Sequence, residues 1–202
     1  MIIAQQICDR YDDLELVRKS LEEVDWFSCL YERYEQRLKR YLKTFAGLTD
    51  AEAQDVLQEA FIKVWLNLNG YDPSFSFSAW VYRIVHNEAI SALRKRKSYG
   101  KDKTLELNEE LVEAFTSDLG DEDQADKMVL EESLVKEALR GIANKYKDVL
   151  VLRYLEGMSY SEISDVLKIP EGTVATRINR AKRAFIEFVK NNGLSFEKYR
   201  GV

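Results

Sequence analysis

The chain has 202 residues, 30 of them basic and 35 acidic, for a formal net charge of −5. Hydrophobic residues make up 46% and charged residues 32%, enough for a core but with strongly charged faces left in water. Two prolines and nine glycines are too few to punctuate an all-β fold, which needs a turn every ~8–12 residues. Long stretches rich in Leu, Glu, Lys, Arg and Ala point to an all-α chain.

Several function classes fall away at once. Cys8 and Cys29 form no CxxC pair, and the expectation is two reduced thiols in a cytosolic protein. A single histidine, His86, leaves no ordinary zinc site. GxxxxGK[ST], GxGxxG, GxSxG and HExxH are all absent. No basic-then-apolar leader opens the sequence, and no apolar run approaches the ~18 residues of a membrane span. The expectation is a cytoplasmic protein that is not an enzyme, holds no metal or cofactor and does not insert into membranes.

In chain order, residues 14–24 read as a short helix with Leu14, Val17 and Leu21 on one face. Asp25 is a candidate N-cap for the next helix, which carries Phe27, Leu30, Tyr31, Tyr34, Leu38, Tyr41 and Leu42 at spacings of three and four. Gly47 and Thr49-Asp50 break that pattern. Residues 51–68 resume it and stop at Asn69-Gly70, with Pro73 just beyond. A loop over 71–76 leads into a helix over about 78–96, and 129–142, 145–155, 161–167 and 171–189 read as four more. No repeat of fixed period is present.

Charge is distributed in blocks. Residues 27–100 carry 11 basic and 8 acidic groups, 101–127 carry 3 and 10, and 128–190 carry 11 and 9. Two mildly basic segments thus flank an acidic one of net −7. The pattern predicts two small helical domains, 1–100 and 128–190, joined by an acidic flexible linker over 101–127 and followed by a tail at 191–202. Basic residues cluster at Arg94, Lys95, Arg96 and Lys97 and again at Arg177, Arg180, Lys182 and Arg183. Either cluster alone fits a solvated helix end. Together they favour a polyanion.

Three patterns exceed what a core needs. Between Asp55 and Trp65, Leu57, Ala60, Phe61 and Val64 supply a core-facing stripe, while Asp55, Gln58, Glu59 and Ile62 repeat the same spacing on a neighbouring face. That second stripe is either a solvated surface or a docking surface. Phe75, Phe77, Trp80 and Tyr82 crowd a loop-to-helix junction. Some of these rings must close the core, yet aromatics beside basic residues also suit single-stranded DNA, each stacked base contributing ~1–3 kcal/mol. Asn87, two turns beyond Trp80, can hydrogen-bond an extruded base edge, and Arg94–Lys97 can hold phosphates. Finally, Tyr160–Pro170 and Glu171–Arg183 read as helix, turn, helix. Ile163, Val166, Leu167, Val174, Ile178, Ala181 and Phe185 face inward and Ile169 plugs the turn, leaving Thr176, Asn179, Arg180 and Arg183 on one outward stripe. Arg to guanine and Asn to adenine are the pairings that major-groove geometry favours.

The strings Asp55-Val-Leu-Gln-Glu-Ala-Phe-Ile-Lys-Val-Trp65 and Phe77-Ser-Ala-Trp-Val-Tyr-Arg-Ile-Val-His-Asn87, followed by this helix-turn-helix, resemble bacterial RNA polymerase sigma factors. Two helical domains with no room for a third resemble the extracytoplasmic-function (ECF) subgroup. The resemblance covers roughly residues 14–189 and implies a subunit that binds core RNA polymerase, directs it to promoter DNA and melts the −10 region. It implies that Asp55, Gln58, Glu59 and Ile62 dock on the clamp helices of the largest polymerase subunit. It also implies that Phe75, Phe77, Trp80, Asn87 and Arg94, Lys95, Arg96 and Lys97 serve the −10 element, Phe77 and Trp80 either supporting the loop or touching DNA. Thr173, Ala175, Thr176, Arg177, Asn179, Arg180 and Arg183 would then serve the −35 element. Further implied partners are the flap of the second polymerase subunit and an anti-sigma factor. Two departures stand out: Ala175 occupies a position that is often basic, and Lys168 occupies a turn position where Gly is frequent, implying a turn with no need of positive φ. The alternatives are a stand-alone helix-turn-helix regulator and a sigma-like decoy that only binds an anti-sigma factor.

Overall fold

The computed structural model describes residues 3–98 and 144–191, and every regular element among them is helical. The expected acidic linker at 101–127, the helix at 129–142 and the tail beyond residue 191 lie outside the described residues. The chain divides into two compact units, one mainly from its N-terminal and one mainly from its C-terminal half.

The N-terminal unit contains α1 (Gln5–Cys8), α2 (Asp13–Glu22), α3 (Phe27–Ala46), α4 (Asp50–Asn67) and α5 (Phe77–Ser98), with single 3-10 turns at Val24–Trp26 and Leu68–Gly70. Helix starts are written locally. Asp12 and Glu15 form a reciprocal capping box on α2, and Thr49 and Glu52 form another on α4, each satisfying amides that no helical carbonyl can reach. Asp25, expected as an N-cap, instead lies within the 3-10 turn, and α3 starts without a side-chain cap. Gly47 ends α3 in the left-handed conformation, φ 58°, with its N–H donating to the Lys43 carbonyl.

Helix α3 packs on α2, α4 and α5, and α4 also packs on α5. Leu16, Leu30, Leu38, Tyr41, Leu42, Leu57, Ala60, Val64, Val81, Tyr82 and Val85 fill the space between them. The Tyr41 hydroxyl and His86 Nδ1 are 2.7 Å apart inside this core. Burial lowers the His86 pKa to about 4, so the ring is neutral in the folded unit. The unfolded chain binds this proton below pH ~6.5, and the folded one only near 4. Stability from the neutral ring is therefore present above pH ~6.5 and lost as pH falls toward 4, by about 3 kcal/mol. Thermal melts between pH 7.5 and 4.5 should show this fall, and His86→Gln should flatten it.

The cysteines depart from expectation. Cys8 and Cys29 form a disulfide with Cα atoms 5.3 Å apart, rather than standing as free thiols. Their separation of 21 residues hides this proximity, because only the return of α1 and α2 along α3 brings them together.

The C-terminal unit contains α6 (Asn144–Leu150), which continues as a π-helical turn over Val151–Leu155, then α7 (Tyr160–Leu167) and α8 (Glu171–Asn191). Helix α6 packs on α8, and Val149, Leu152, Met158, Ile163, Val174, Ile178, Ala181 and Phe185 are buried. Ser159 and Glu162 repeat the capping-box pattern on α7. Lys168, expected in a turn without positive φ, has φ 54°. The Ser164 hydroxyl donates to the Ile169 carbonyl at 2.6 Å, and the Ile169 N–H donates back to the Ser164 carbonyl. This reversal within five residues forces the left-handed step at Lys168, which a lysine adopts at some cost in strain.

Candidate nucleic-acid and protein interfaces

The mixed stripe of α4 is exposed along its whole length: Asp55, Gln58, Glu59 and Ile62 all face solvent. Ile62 is 55% exposed, and one turn further Leu66 is 72% exposed. An acidic end thus grades into an apolar end on one helix face. Leu66 is a member that residue type alone did not reveal, although its i+4 spacing from Ile62 was in the sequence. Trp65 is partly exposed and packs edge-on against Phe27, ring centroids 5.1 Å apart.

The aromatic junction is a wall with one projecting ring. Phe77 is buried and contacts Tyr34, Tyr71 and Trp80 at centroid distances of 5.7, 5.3 and 5.6 Å. Tyr71 also meets Trp80. The Tyr71 hydroxyl donates to the Phe75 carbonyl at 2.6 Å, and the Asp72 carboxylate accepts from the Ser74 N–H at 2.9 Å. That bond holds the Asp72 carboxyl below the usual carboxylate range. The Ser76 hydroxyl accepts from the Ala79 N–H and starts α5. This braced loop presents Phe75, 48% exposed, while Phe77 lies behind it. Asn87 is exposed one helix face away, in a cleft of about 340 Å³ lined also by Lys63, Asn67, Trp80, Arg83 and Glu88. Lys63 and Glu88 pair at 2.6 Å beside it.

The basic end of α5 is divided. Arg94 and Lys95 are exposed. Arg96 turns inward and donates to the carbonyls of Ala46 and Gly47 at 3.3 and 3.2 Å, capping the C-terminus of α3. The side chain of Lys97 lies outside the described residues.

On α8, Thr176, Asn179, Arg180 and Arg183 are exposed, while Thr173 and Ala175 are half-buried. Arg177 points the other way, its Nη1 3.5 Å from Asp148 Oδ2 on α6. Burial pushes the Asp148 carboxyl up to about 6, against the pull of the Arg177 guanidinium. The pair therefore joins α8 to α6 rather than facing solvent.

Residues 30–99 match the family model for Sigma-70 region 2, and residues 133–185 match that for Sigma-70 region 4. The chain is 31% identical over 179 residues to the ECF RNA polymerase sigma factor SigW of Bacillus subtilis, covering 84% of this chain and 94% of that one. It is 34% identical over 164 residues to the RNA polymerase sigma-H factor of Pseudomonas aeruginosa, covering 78% and 83%. The chain belongs to the ECF sigma factors. As a sigma factor it binds core RNA polymerase and directs transcription initiation at promoter DNA. Two solved structures share the fold: CnrH in complex with the cytosolic domain of CnrY (TM-score 0.61, 22% identity, 88% of this chain and 96% of that one) and RpoE in complex with the anti-sigma factor NepR from Bartonella quintana (TM-score 0.58, 20% identity, 81% and 96%). In this sigma factor the region 2 match contains the α4 stripe, the aromatic loop and Asn87, and the region 4 match contains the exposed stripe of α8.

Proposed function

We propose that the three exposed surfaces divide the work of initiation. Asp55, Gln58, Glu59 and Ile62, extended by Leu66, dock on the clamp helices of the polymerase. Phe75 and Asn87 capture bases of the melted −10 element, braced by Phe77 and Trp80, while Arg94 and Lys95 hold phosphates. Thr176, Asn179, Arg180 and Arg183 read the −35 element in the major groove. Arg96 and Arg177 act as positioning residues, one anchoring α5 to α3 and the other α8 to α6. The segments 1–100 and 128–190 are the two working domains, and 101–127 is an acidic strap between them that follows the polymerase channel toward the flap of the second subunit.

The observation that carries this reading is the sorting of side chains around α8: Thr176, Asn179, Arg180 and Arg183 face solvent and Arg177 is held by Asp148. A sigma factor works on polymerase in the cytoplasm, and among the described residues no helix is long and apolar enough to cross a membrane. An anti-sigma factor is a further proposed partner, supported by the complex with the anti-sigma factor NepR in which the Bartonella RpoE was solved.

Run-off transcription with purified core polymerase on fragmented genomic DNA tests the reading. Discrete transcripts that require this chain support it; duplex binding without transcripts would favour a stand-alone regulator. Arg180→Ala should weaken promoter binding by ~1–3 kcal/mol, about 5- to 150-fold, and relax base preference at one −35 position. Its thermal midpoint should be unchanged, because the side chain is exposed. Binding titrations on single-base promoter variants check both.

A further inference from the structure

We propose that Cys8 and Cys29 form a reversible redox clasp that fastens the N-terminal segment to α3 and thereby braces the aromatic wall of the −10 surface. The second half of this statement rests on the −10 assignment given above; the first does not.

The geometry is that of a built site. The two Cα atoms are 5.3 Å apart, inside the range a relaxed disulfide needs. Both cysteines are buried, 3% and 1% exposed, so no small thiol reaches the bond unless the segment opens locally. Both also precede residues 30–99, the part of the chain that matches region 2.

The same segment is tied down by a second set of bonds. Arg33, one turn beyond Cys29 on α3, donates to the carbonyls of Cys8 and Tyr11 at 3.0 and 2.8 Å and to Asp13 Oδ1 at 2.7 Å. The Tyr34 hydroxyl donates to the other Asp13 oxygen, and the Tyr34 ring packs edge-on against Phe77. Lys19 lies 4.5 Å from both the Tyr11 and Trp26 rings. A direct chain of contacts thus runs from the disulfide through Arg33, Asp13 and Tyr34 to Phe77, the ring behind the Phe75 loop. Once the disulfide opens, α1 is a four-residue helix tied to α3 by packing and by the Arg33 bond to the Cys8 carbonyl, and it is too short to persist by itself.

In a compartment that keeps thiols reduced, the disulfides that do form are mostly transient or redox-sensing, and local opening of the short α1 segment gives a thiol its access to this one. The step is thiol–disulfide exchange. One thiolate of an external dithiol attacks a sulfur of the Cys8–Cys29 bond, forming a mixed disulfide and releasing the other cysteine as a thiolate, which takes up a proton. The second thiol of the reagent then displaces the remaining cysteine, which is protonated in turn. Two electrons and two protons reach the protein, and the dithiol leaves as its own disulfide. The reverse exchange restores the clasp.

The full-length chain, equilibrated in buffers of graded reduced-to-oxidised dithiothreitol and then trapped with a maleimide–polyethylene glycol reagent, should pass in one step from no modified thiol to two. Its thermal midpoint should fall on reduction by at least about 5 °C. A Cys8→Ser/Cys29→Ser variant should melt like the reduced chain and ignore the reductant. With core polymerase, permanganate footprinting should show several-fold less open promoter for the reduced chain and for the double serine variant. Two reactive thiols under fully oxidising conditions would overturn the clasp itself. An unchanged midpoint on reduction would overturn its structural role. Equal promoter opening in both redox states, with the clasp intact by trapping, would overturn its link to the −10 surface. Absence of transcripts from every form would instead count against the polymerase reading.

Discussion

Replacing Asp55 and Glu59 together by lysine should weaken association with core polymerase by ~100-fold or more while leaving the helix content unchanged. Both carboxylates are exposed on α4, and neither is needed by its N-terminal cap, which Thr49 and Glu52 supply. Lysine forms helix as well as glutamate and better than aspartate, so intrinsic propensity does not fall. The core-facing residues Leu57, Ala60, Phe61 and Val64 are untouched. What changes is the sign of the proposed docking face. A partner surface selected for an acidic stripe then meets two cations, and like charge at an interface costs several kcal/mol. Circular dichroism reports the fold, and gel filtration or fluorescence anisotropy with core polymerase reports the association. Association that survives the reversal places the docking face elsewhere. Because the apolar end of the same face, Ile62 and Leu66, is distinct from the acidic end, added salt should rescue the variant only in part.

Phe77→Ala and Phe75→Ala separate what the two rings do. Phe77 is 4% exposed and meets Tyr34, Tyr71 and Trp80. Removing it opens a cavity where α3, α5 and the loop at 71–76 meet, at a cost of about 3–5 kcal/mol. In a unit of this size the thermal midpoint should fall by more than about 10 °C, and promoter opening falls with it. Phe75 holds its loop through backbone atoms, its carbonyl accepting from Tyr71 and its N–H donating to Asp72, and an alanine keeps both bonds. Phe75→Ala should therefore leave the midpoint almost unchanged while promoter opening loses ~1–3 kcal/mol of base stacking, about 5- to 150-fold. Differential scanning calorimetry and permanganate footprinting on the two variants make the comparison. A loss of stability in Phe75→Ala equal to that in Phe77→Ala would remove Phe75 from the DNA surface.

Helix phase explains which of the candidate site residues the fold itself uses. Arg177 lies three residues after buried Val174 and four before buried Ala181, and so falls on the inward face of α8, where it meets Asp148. Arg96 follows buried Ala89 by seven residues and turns toward the end of α3. Phe77 precedes buried Val81 by four. In each case a basic or aromatic side chain suited to DNA was available for the fold, and its angular position around the helix decided which role it took. The outward set Thr176, Asn179, Arg180 and Arg183 was legible because its own spacing placed all four opposite the buried stripe.

Local information determined much of this sigma factor. The periodic apolar stripes, the Asp-x-x-Glu, Thr-x-x-Glu and Ser-x-x-Glu starts, the glycine that ends α3 and the helix-turn-helix all act within one or two turns of chain, where spacing alone fixes which groups meet. Tertiary structure alone decided the Cys8–Cys29 bond and the left-handed step at Lys168. Each of these depends on where a distant or reversing segment returns, and that position is set by packing rather than by any short pattern of residues.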